Sequence, residues 1–162
     1  MIIRYFLLLG LFTFLSCGLP VAAGTRGDSN TAATTGEMAA LKSEILQLIN
    51  EYRKEKRLSP LVQNNITEGI ADEHSANMAR GKTAFGHDGF EQRNAALKKE
   101  ISGMSAMAEN VAFGKLSAER VVNLWLRSSG HRRNIEGDYR ETGIGIARAA
   151  DGNLYFTQIF IK

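Results

Sequence analysis

The chain has 162 residues, a net charge of +3 and a single cysteine, Cys17. One cysteine excludes an internal disulfide framework, so a hydrophobic core must hold the fold together, and about 140 mature residues suffice for one domain. If Arg4 is removed with an N-terminal signal, 19 of the 20 basic residues remain against 17 acidic ones. This near balance indicates neither a nucleic-acid footprint nor a polybasic membrane patch.

Residues 1–16 are predicted to be a signal peptide of the lipoprotein type. Arg4 gives a short positive region, and the apolar run that follows is shorter than the roughly 20 residues that span a bilayer. The sequence around Cys17 resembles a bacterial lipobox, so Cys17 is the expected lipidation site. The alternative is ordinary cleavage after Val21-Ala22-Ala23, before Gly24, which would give a secreted protein.

Residues 17–36 are predicted to be a flexible tether, because Gly, Ala, Thr and Ser dominate and large apolar side chains are almost absent. The folded domain is predicted to cover residues 37–162. It opens with an amphipathic helix that Pro60 brings to a close. The apolar positions that recur every three or four residues along this helix are Met38, Leu41, Ile45, Leu48 and Tyr52.

A second helix is predicted from about Asn65 to Arg80, with Asn64 or Asn65 as its cap and Gly81 as its stop. His74 lies inside this helix, and we interpret it as a packed, hydrogen-bonded histidine rather than a ligand. The positions expected to face the core are Ile66, Ile70 and Met78.

The middle of the chain is predicted to form a loop, a short helix and a strand. Residues 82–89 form a glycine-interrupted loop that carries His87, residues 92–100 form at most a short polar helix, and residues 107–113 alternate weakly, as a strand does.

Ser117 can cap a further helix, whose apolar stripe includes Trp125, the only tryptophan. Ser128-Ser129-Gly130 breaks the pattern, so His131 is expected just past the helix C-terminus, held by a buried Trp125.

In the last segment, apolar residues recur with the period of two that is typical of β-strands. Ile144, Ile146 and the apolar run at residues 154–161 flank Asp151-Gly152-Asn153, a strong hairpin turn. Helices first, a strand in the middle and a hairpin last predict an α+β fold. The expected architecture is an α-β-α sandwich with a small central antiparallel sheet flanked by helices.

Three side chains are candidates for a functional site. His87 and Glu109 lie beside small residues, and His131 follows a helix, so two imidazoles and a carboxylate could converge on one cleft. No Gly-x-Ser-x-Gly motif is present, and Cys17 is assigned to export, so nucleophilic catalysis has no candidate.

Five segments in this order resemble the bacterial branch of the CAP superfamily, which contains cysteine-rich secretory proteins, antigen-five allergens, pathogenesis-related proteins and SCP-like extracellular proteins. These segments are residues 48–53 with 58–61, residues 85–87 with Arg93, residues 108–112, residues 125–135 and residues 156–160.

The resemblance implies an α-β-α sandwich whose central cleft is lined by histidines and glutamates, sometimes around a divalent metal. Carried over by position, these residues are His87, Glu109 and His131. Ala108 replaces the Gly that usually precedes the Glu-Asn pair, and Ser128 stands where many relatives have a second Glu.

Two readings of this set remain open. In one, His87 and His131 hold Zn²⁺ or another divalent metal and Glu109 acts as a general base, giving a metal-assisted hydrolase. In the other, the three residues form a structural hydrogen-bond network, Asn110 serves the backbone, and the protein is a binding module of the cell envelope. The expected partners are a membrane, through the lipid anchor, and an unknown extracellular or envelope ligand; nucleic acid is not expected.

Overall fold

A computed structural model describes the backbone of residues 28–162 and the side chains of residues 35–162. The predicted signal peptide, Cys17 and the first part of the predicted tether lie outside the described residues. The helices are α1 (Asp28–Glu55), α2 (Asn65–Ala79), α3 (Phe90–Glu100), α4 (Ala118–Arg127) and α5 (Ser129–Glu136). The strands are β1 (Val62–Gln63), β2 (Met107–Gly114), β3 (Glu141–Arg148) and β4 (Leu154–Ile161).

The strands form one sheet in the order β1-β3-β4-β2. As predicted, β2, β3 and β4 are antiparallel, and β3 and β4 form the C-terminal hairpin. The two-residue strand β1 adds a parallel pairing with β3 that the sequence did not indicate. Helices α1, α4 and α5 cover one face, and α2 and α3 cover the other, which confirms the α+β sandwich.

Helix α1 begins at Asp28, not at Glu37. The second half of the predicted tether is therefore helical. The prediction rested on the scarcity of large apolar residues, which argues against burial but not against helix, since Ala has the highest helix propensity. Within residues 28–162, no helix is both long and apolar enough to cross a membrane.

The face covered by α1, α4 and α5 holds the larger core. Ser117 caps α4 as predicted, accepting a hydrogen bond from the Arg120 backbone N–H. Trp125 is only 1% exposed, and lies in a cluster of large apolar side chains from the helices of this face and from the sheet. These include Ile45, Ile49, Val121, Ile135, Phe156 and Phe160.

The opposite face is built by close backbone approach. A Cβ added at Gly143 or Gly145 would lie within 2.3 Å of the backbone of α2. Helix α2 therefore turns its small residues, such as Ala71 and Ser75, towards the sheet.

The prediction that Met78 faces inward is confirmed, since Met78 is buried, and Ile70 is partly buried. The prediction that Ile66 faces inward is wrong: the neighbouring Thr67 takes the buried position against Gly143, and Ile66 is exposed.

The expectation that His131 follows the end of a helix is also wrong. Ser128 adopts an extended conformation for one residue, and the chain then enters α5, with Gly130 and His131 in its first turn. The Ser-Ser-Gly break is real, but it separates two helices instead of ending the helical segment.

Arg53 is a buried cation that the sequence reading did not single out. Its guanidinium donates to four backbone carbonyls, those of Ser59, Ile135, Gly137 and Tyr139, at 2.8, 2.5, 3.0 and 3.4 Å. Because a buried charge needs such partners, Arg53 joins α1 to the segment that follows α5.

Candidate functional site

The site is centred on Glu109, which lies on β2 with a side chain that is 0% exposed. The guanidinium of Arg93, on α3, binds its carboxylate in a two-pronged manner: Nε donates to Oε2 and Nη2 to Oε1, each at 2.7 Å. Such bidentate, charge-assisted pairs are the strongest side-chain hydrogen bonds. Arg93 also donates to the carbonyl of Asp88 at 2.7 Å, which fixes the loop before α3.

His87 contacts this pair through Glu109. Its Nδ1 is 2.9 Å from Glu109 Oε1, and its side chain is half exposed. Because an ionised carboxylate only accepts hydrogen bonds, Nδ1 carries the proton, and in the neutral form of the ring Nε2 is then an acceptor. His87 therefore presents a hydrogen-bond acceptor to solvent.

His74 is packed and hydrogen-bonded, as predicted from its place in α2. Its Nε2 is 2.9 Å from the Gly86 carbonyl, so this nitrogen is the donor. The same atom is 3.8 Å from Glu109 Oε1, which places His74 beside the site. Burial lowers the pKa of His74, and the hydrogen bond to Gly86 only partly opposes this shift. A neutral His74 thus anchors the residue that precedes His87.

His131 is held through its backbone. The Asn110 side chain donates to the His131 carbonyl at 3.2 Å, and Asn134 donates to Asn110 Oδ1 at 2.9 Å. Asn110 therefore serves the backbone, as predicted. Burial lowers the pKa of His131, and the nearby His87 contributes to the same shift. The two imidazoles thus lie close enough to interact electrostatically, and we call His87, Glu109, His131 and Arg93 the His/Glu site.

The edge of the sheet at this site is covered by side chains. Strand β2 is an edge strand, and an edge strand leaves backbone groups unpaired. Trp125 Nε1 donates to the Val111 carbonyl at 3.1 Å, and Asn134 Nδ2 donates to the Glu109 carbonyl at 3.2 Å. These two bonds fasten α4 and α5 to β2, and α5 carries His131.

The donor set fits a metal ion poorly. Both oxygens of Glu109 bind Arg93, whose positive charge would lie against any cation placed there. Only two imidazoles then remain, whereas catalytic zinc sites use three protein ligands. In the part of the chain that the structure describes, no group of three or more His, Cys, Asp or Glu is placed to hold a metal.

Sequence comparison identifies the family. The profile described as CAP, the cysteine-rich secretory protein family, matches residues 46–160. The chain belongs to the CAP family. The chain is 28% identical over 135 residues to YkwD, an uncharacterized protein of Bacillus subtilis, and this match covers 82% of the chain and 51% of YkwD. The chain thus spans about half the length of this relative.

Two solved structures with the same fold come from proteins at the cell exterior. An extracellular SCP-domain protein from Bacillus anthracis matches with a TM-score of 0.64 and 26% identity, covering 76% of this chain and 41% of that chain. An outer surface protein from Borrelia burgdorferi matches with a TM-score of 0.61 and 25% identity, covering 80% of this chain and 94% of that chain.

The sequence predicts the two histidines and the glutamate as site residues, but it does not predict the groups that hold them in place. Arg93 lies in a family segment with no role assigned to it, and no role is predicted for Asn134. One signal was available: Glu109 shares its face of the strand with the apolar Met107 and Val111, so it is expected to be buried, and a buried carboxylate requires a cation or several donors.

Proposed function

We propose that this chain is an exported binding module of the cell surface, held at the membrane by a lipid on Cys17, with a ligand that contacts the His/Glu site. The observation that supports this most is the state of Glu109. Both of its oxygens are bound to Arg93, one also to His87, and the side chain is closed to solvent.

A general base must come within hydrogen-bond reach of the proton that it removes. Glu109 has no exposed surface through which a substrate or water could approach, and its charge is already neutralised by a guanidinium. Its contribution is instead to orient His87, so that the acceptor Nε2 points away from the carboxylate. A rigid imidazole surface of this kind suits recognition.

The alternative, a metal-assisted hydrolase using His87, Glu109 and His131, has less support. Zinc would have to bind two imidazoles without the carboxylate, or else displace Arg93 from Glu109. Displacement would leave a guanidinium that is now largely buried without its partner, which is energetically costly.

Turnover distinguishes the two functions. The purified chain is incubated with peptide, ester and glycan substrates, with and without Zn²⁺, beside a His131→Ala variant. We expect no hydrolysis that depends on His131. Zinc-dependent cleavage that is lost in His131→Ala would overturn the binding-module proposal.

The anchor is tested separately. Export agrees with the extracellular and outer surface proteins whose structures this chain resembles. Replacement of Cys17 by Ser is expected to release or misprocess the protein. A mature N-terminus at Gly24 in the unaltered protein would show that cleavage follows Ala23 and that no lipid is attached.

A further inference from the structure

A polar cavity lies between α2 and α3, beside the loop that joins these two helices. Its volume is about 290 Å³, close to the lower limit of roughly 300 Å³ for small-molecule pockets. We call it the α2–α3 cavity. It shares Arg93 with the His/Glu site, but His87, Glu109 and His131 do not line it. Its polar walls are formed by Glu73, His74, Asn77, Thr83, Asp88 and Arg93.

The charge on these walls favours a cation. Among the side chains of residues 35–162, no ion pair involves Glu73 or Asp88. The positive charge of Arg93 is balanced by the carboxylate of Glu109, to which it donates twice. The walls therefore carry two carboxylates whose charge no side chain neutralises, and unlike charges attract more strongly in a cavity than in open water.

Two buried polar atoms of the walls have no hydrogen-bond partner among the described residues. One is Thr83 Oγ1. The other belongs to His74, whose side chain is only 2% exposed. Because His74 Nε2 donates to the Gly86 carbonyl, Nδ1 of the neutral ring is an acceptor, and no described group donates to it. Buried polar atoms without partners are energetically costly, so the cavity favours a ligand with several hydrogen-bond donors.

These acceptors select an organic cation over a metal ion. Ca²⁺ and Mg²⁺ take six or more ligands, nearly all of them oxygen, whereas among the described residues no three His, Cys, Asp or Glu side chains are placed together to hold a metal. An ammonium or guanidinium group carries several N–H donors and can bind carboxylates, a hydroxyl and an imidazole nitrogen. Ile70 and Ala96 add apolar wall that a short alkyl chain can contact.

We infer that the α2–α3 cavity binds a small organic cation, whose ammonium or guanidinium group pairs with Glu73 and Asp88 and donates to His74 Nδ1. The alkyl part of the ligand contacts Ile70 and Ala96. This is a second binding site of the chain, and its assignment does not depend on whether the His/Glu site is catalytic.

The test titrates n-butylamine and n-butylguanidine into the ¹⁵N-labelled chain at pH 7.5 and constant ionic strength. Backbone amide and imidazole NMR signals are followed. Both cations are expected to bind in the millimolar range, as suits such small ligands, and to shift the signals of residues 73–77, 83 and 88–93 together with the His74 ring. Two ligands are matched controls, n-butanol without the charge and butyrate with the opposite charge. Each should bind at least about tenfold more weakly.

Single substitutions locate the bound cation. Glu73→Gln and Asp88→Asn should each weaken the binding of n-butylamine about fivefold, the effect of losing one partly exposed ion pair. Both positions are exposed and both changes are nearly isosteric, so the fold should be retained. Glu91→Gln is the matched control, because it removes the same charge from an exposed position of α3 outside the cavity. It should bind as the unaltered chain does.

The outcomes decide between a specific site and weaker explanations. No shift with either cation, or equal shifts with n-butanol, would overturn the inference. Equal weakening in Glu91→Gln and Glu73→Gln would overturn it too, since only the net charge of the chain would then matter. Calcium chloride that shifts the same signals and displaces n-butylamine would replace the organic cation by a metal ion. Binding of only one of the two organic cations would support the site and identify the group that it prefers.

Discussion

The two faces of the sheet are built by opposite means. The face under α1, α4 and α5 buries large side chains, with Trp125, Phe156 and Phe160 at its centre. The face under α2 buries glycines, hydroxyls and ionisable groups, and there the Ser75 hydroxyl lies within hydrogen-bonding distance of the Gly145 carbonyl, at 3.0 Å, and of the Thr157 hydroxyl, at 2.8 Å.

This difference separates the packing that stabilises the domain from the packing that positions the His/Glu site. Apolar burial stabilises a fold without regard to direction, so the first face can hold the sheet together with ordinary core packing. Close approach on the second face places His74 and Arg93 around Glu109 at hydrogen-bonding distance. Each face should therefore respond to a different kind of mutation.

The face under α2, which we call the polar face, should be the more sensitive to added side-chain volume. In Gly145→Ala, the new Cβ would lie 2.1 Å from the Ala71 carbonyl carbon, which is backbone and cannot rotate away. We expect a loss of about 5 kcal/mol in the free energy of unfolding, measured in urea. Gly69→Ala is the control, since its Cβ would meet nothing within 4 Å, and it should be neutral or slightly stabilising. Equal effects of the two substitutions would refute close packing of α2 on β3.

The face under α1, α4 and α5, which we call the apolar face, should be the more sensitive to the removal of side-chain volume. Trp125→Ala is expected to cost roughly 3 to 5 kcal/mol, because it empties the centre of the core and leaves the Val111 carbonyl without its donor. Trp125→Phe, which retains most of the volume, should cost less. The measurement is again urea unfolding, and a loss under about 1 kcal/mol for the alanine variant would mean that Trp125 is not a core anchor.

Arg93 and Glu109 should behave as one unit on the polar face. Arg93→Met leaves a buried carboxylate with one partner fewer, and we expect a loss of about 3 kcal/mol. Glu109→Gln in the same chain removes the charge and should restore part of that loss. A double-mutant cycle measures this coupling. Additive effects of the two substitutions on the free energy of unfolding would show that Arg93 and Glu109 do not stabilise each other.

The smallest expected effect is the response of stability to pH. The folded-state pKa values of His74 and His131 are lowered by burial, so the unfolded chain binds more protons as the pH falls. Their contribution to stability is complete above the unfolded value of about 6.5 and is lost as the pH falls below it. His74→Gln should flatten this dependence. Unfolding free energies that stay constant from pH 7.5 to 5.5 in the unaltered chain would contradict it.

The sequence predicted what periodicity and turn chemistry encode. The α2 cap at Asn64, the Ser117 cap and the hairpin at Asp151-Gly152-Asn153 were all predicted correctly, because each depends on neighbouring residues only. The inward face of α2 was predicted only in part: Met78 is buried, but Ile66 is exposed. Hydrophobic periodicity places large apolar residues inside, whereas the close approach to the glycines of β3 favours small ones such as Ala71.

The candidate site was predicted in its members but not in its arrangement. The family resemblance brought together His87, Glu109 and His131, yet Arg93 decides what Glu109 can do, and that pairing depends on how α3 packs beside β2. The same holds for His74, whose place in α2 marked it as structural and did not reveal its position 3.8 Å from Glu109. Such side-chain pairs depend on tertiary packing, which local patterns do not specify.

Zinc titration of the purified chain by calorimetry is the most direct test of the central claim, which is that Glu109 pairs with Arg93 and is not available as a metal ligand. At pH 7.5 we expect no zinc binding tighter than about 0.1 mM, because only two imidazoles are available. The variant carrying both His87→Ala and His131→Ala should then give the same titration as the unaltered chain. Micromolar zinc binding that disappears in this double variant would contradict the claim that the Glu109–Arg93 pair prevents metal binding, and it would favour the hydrolase.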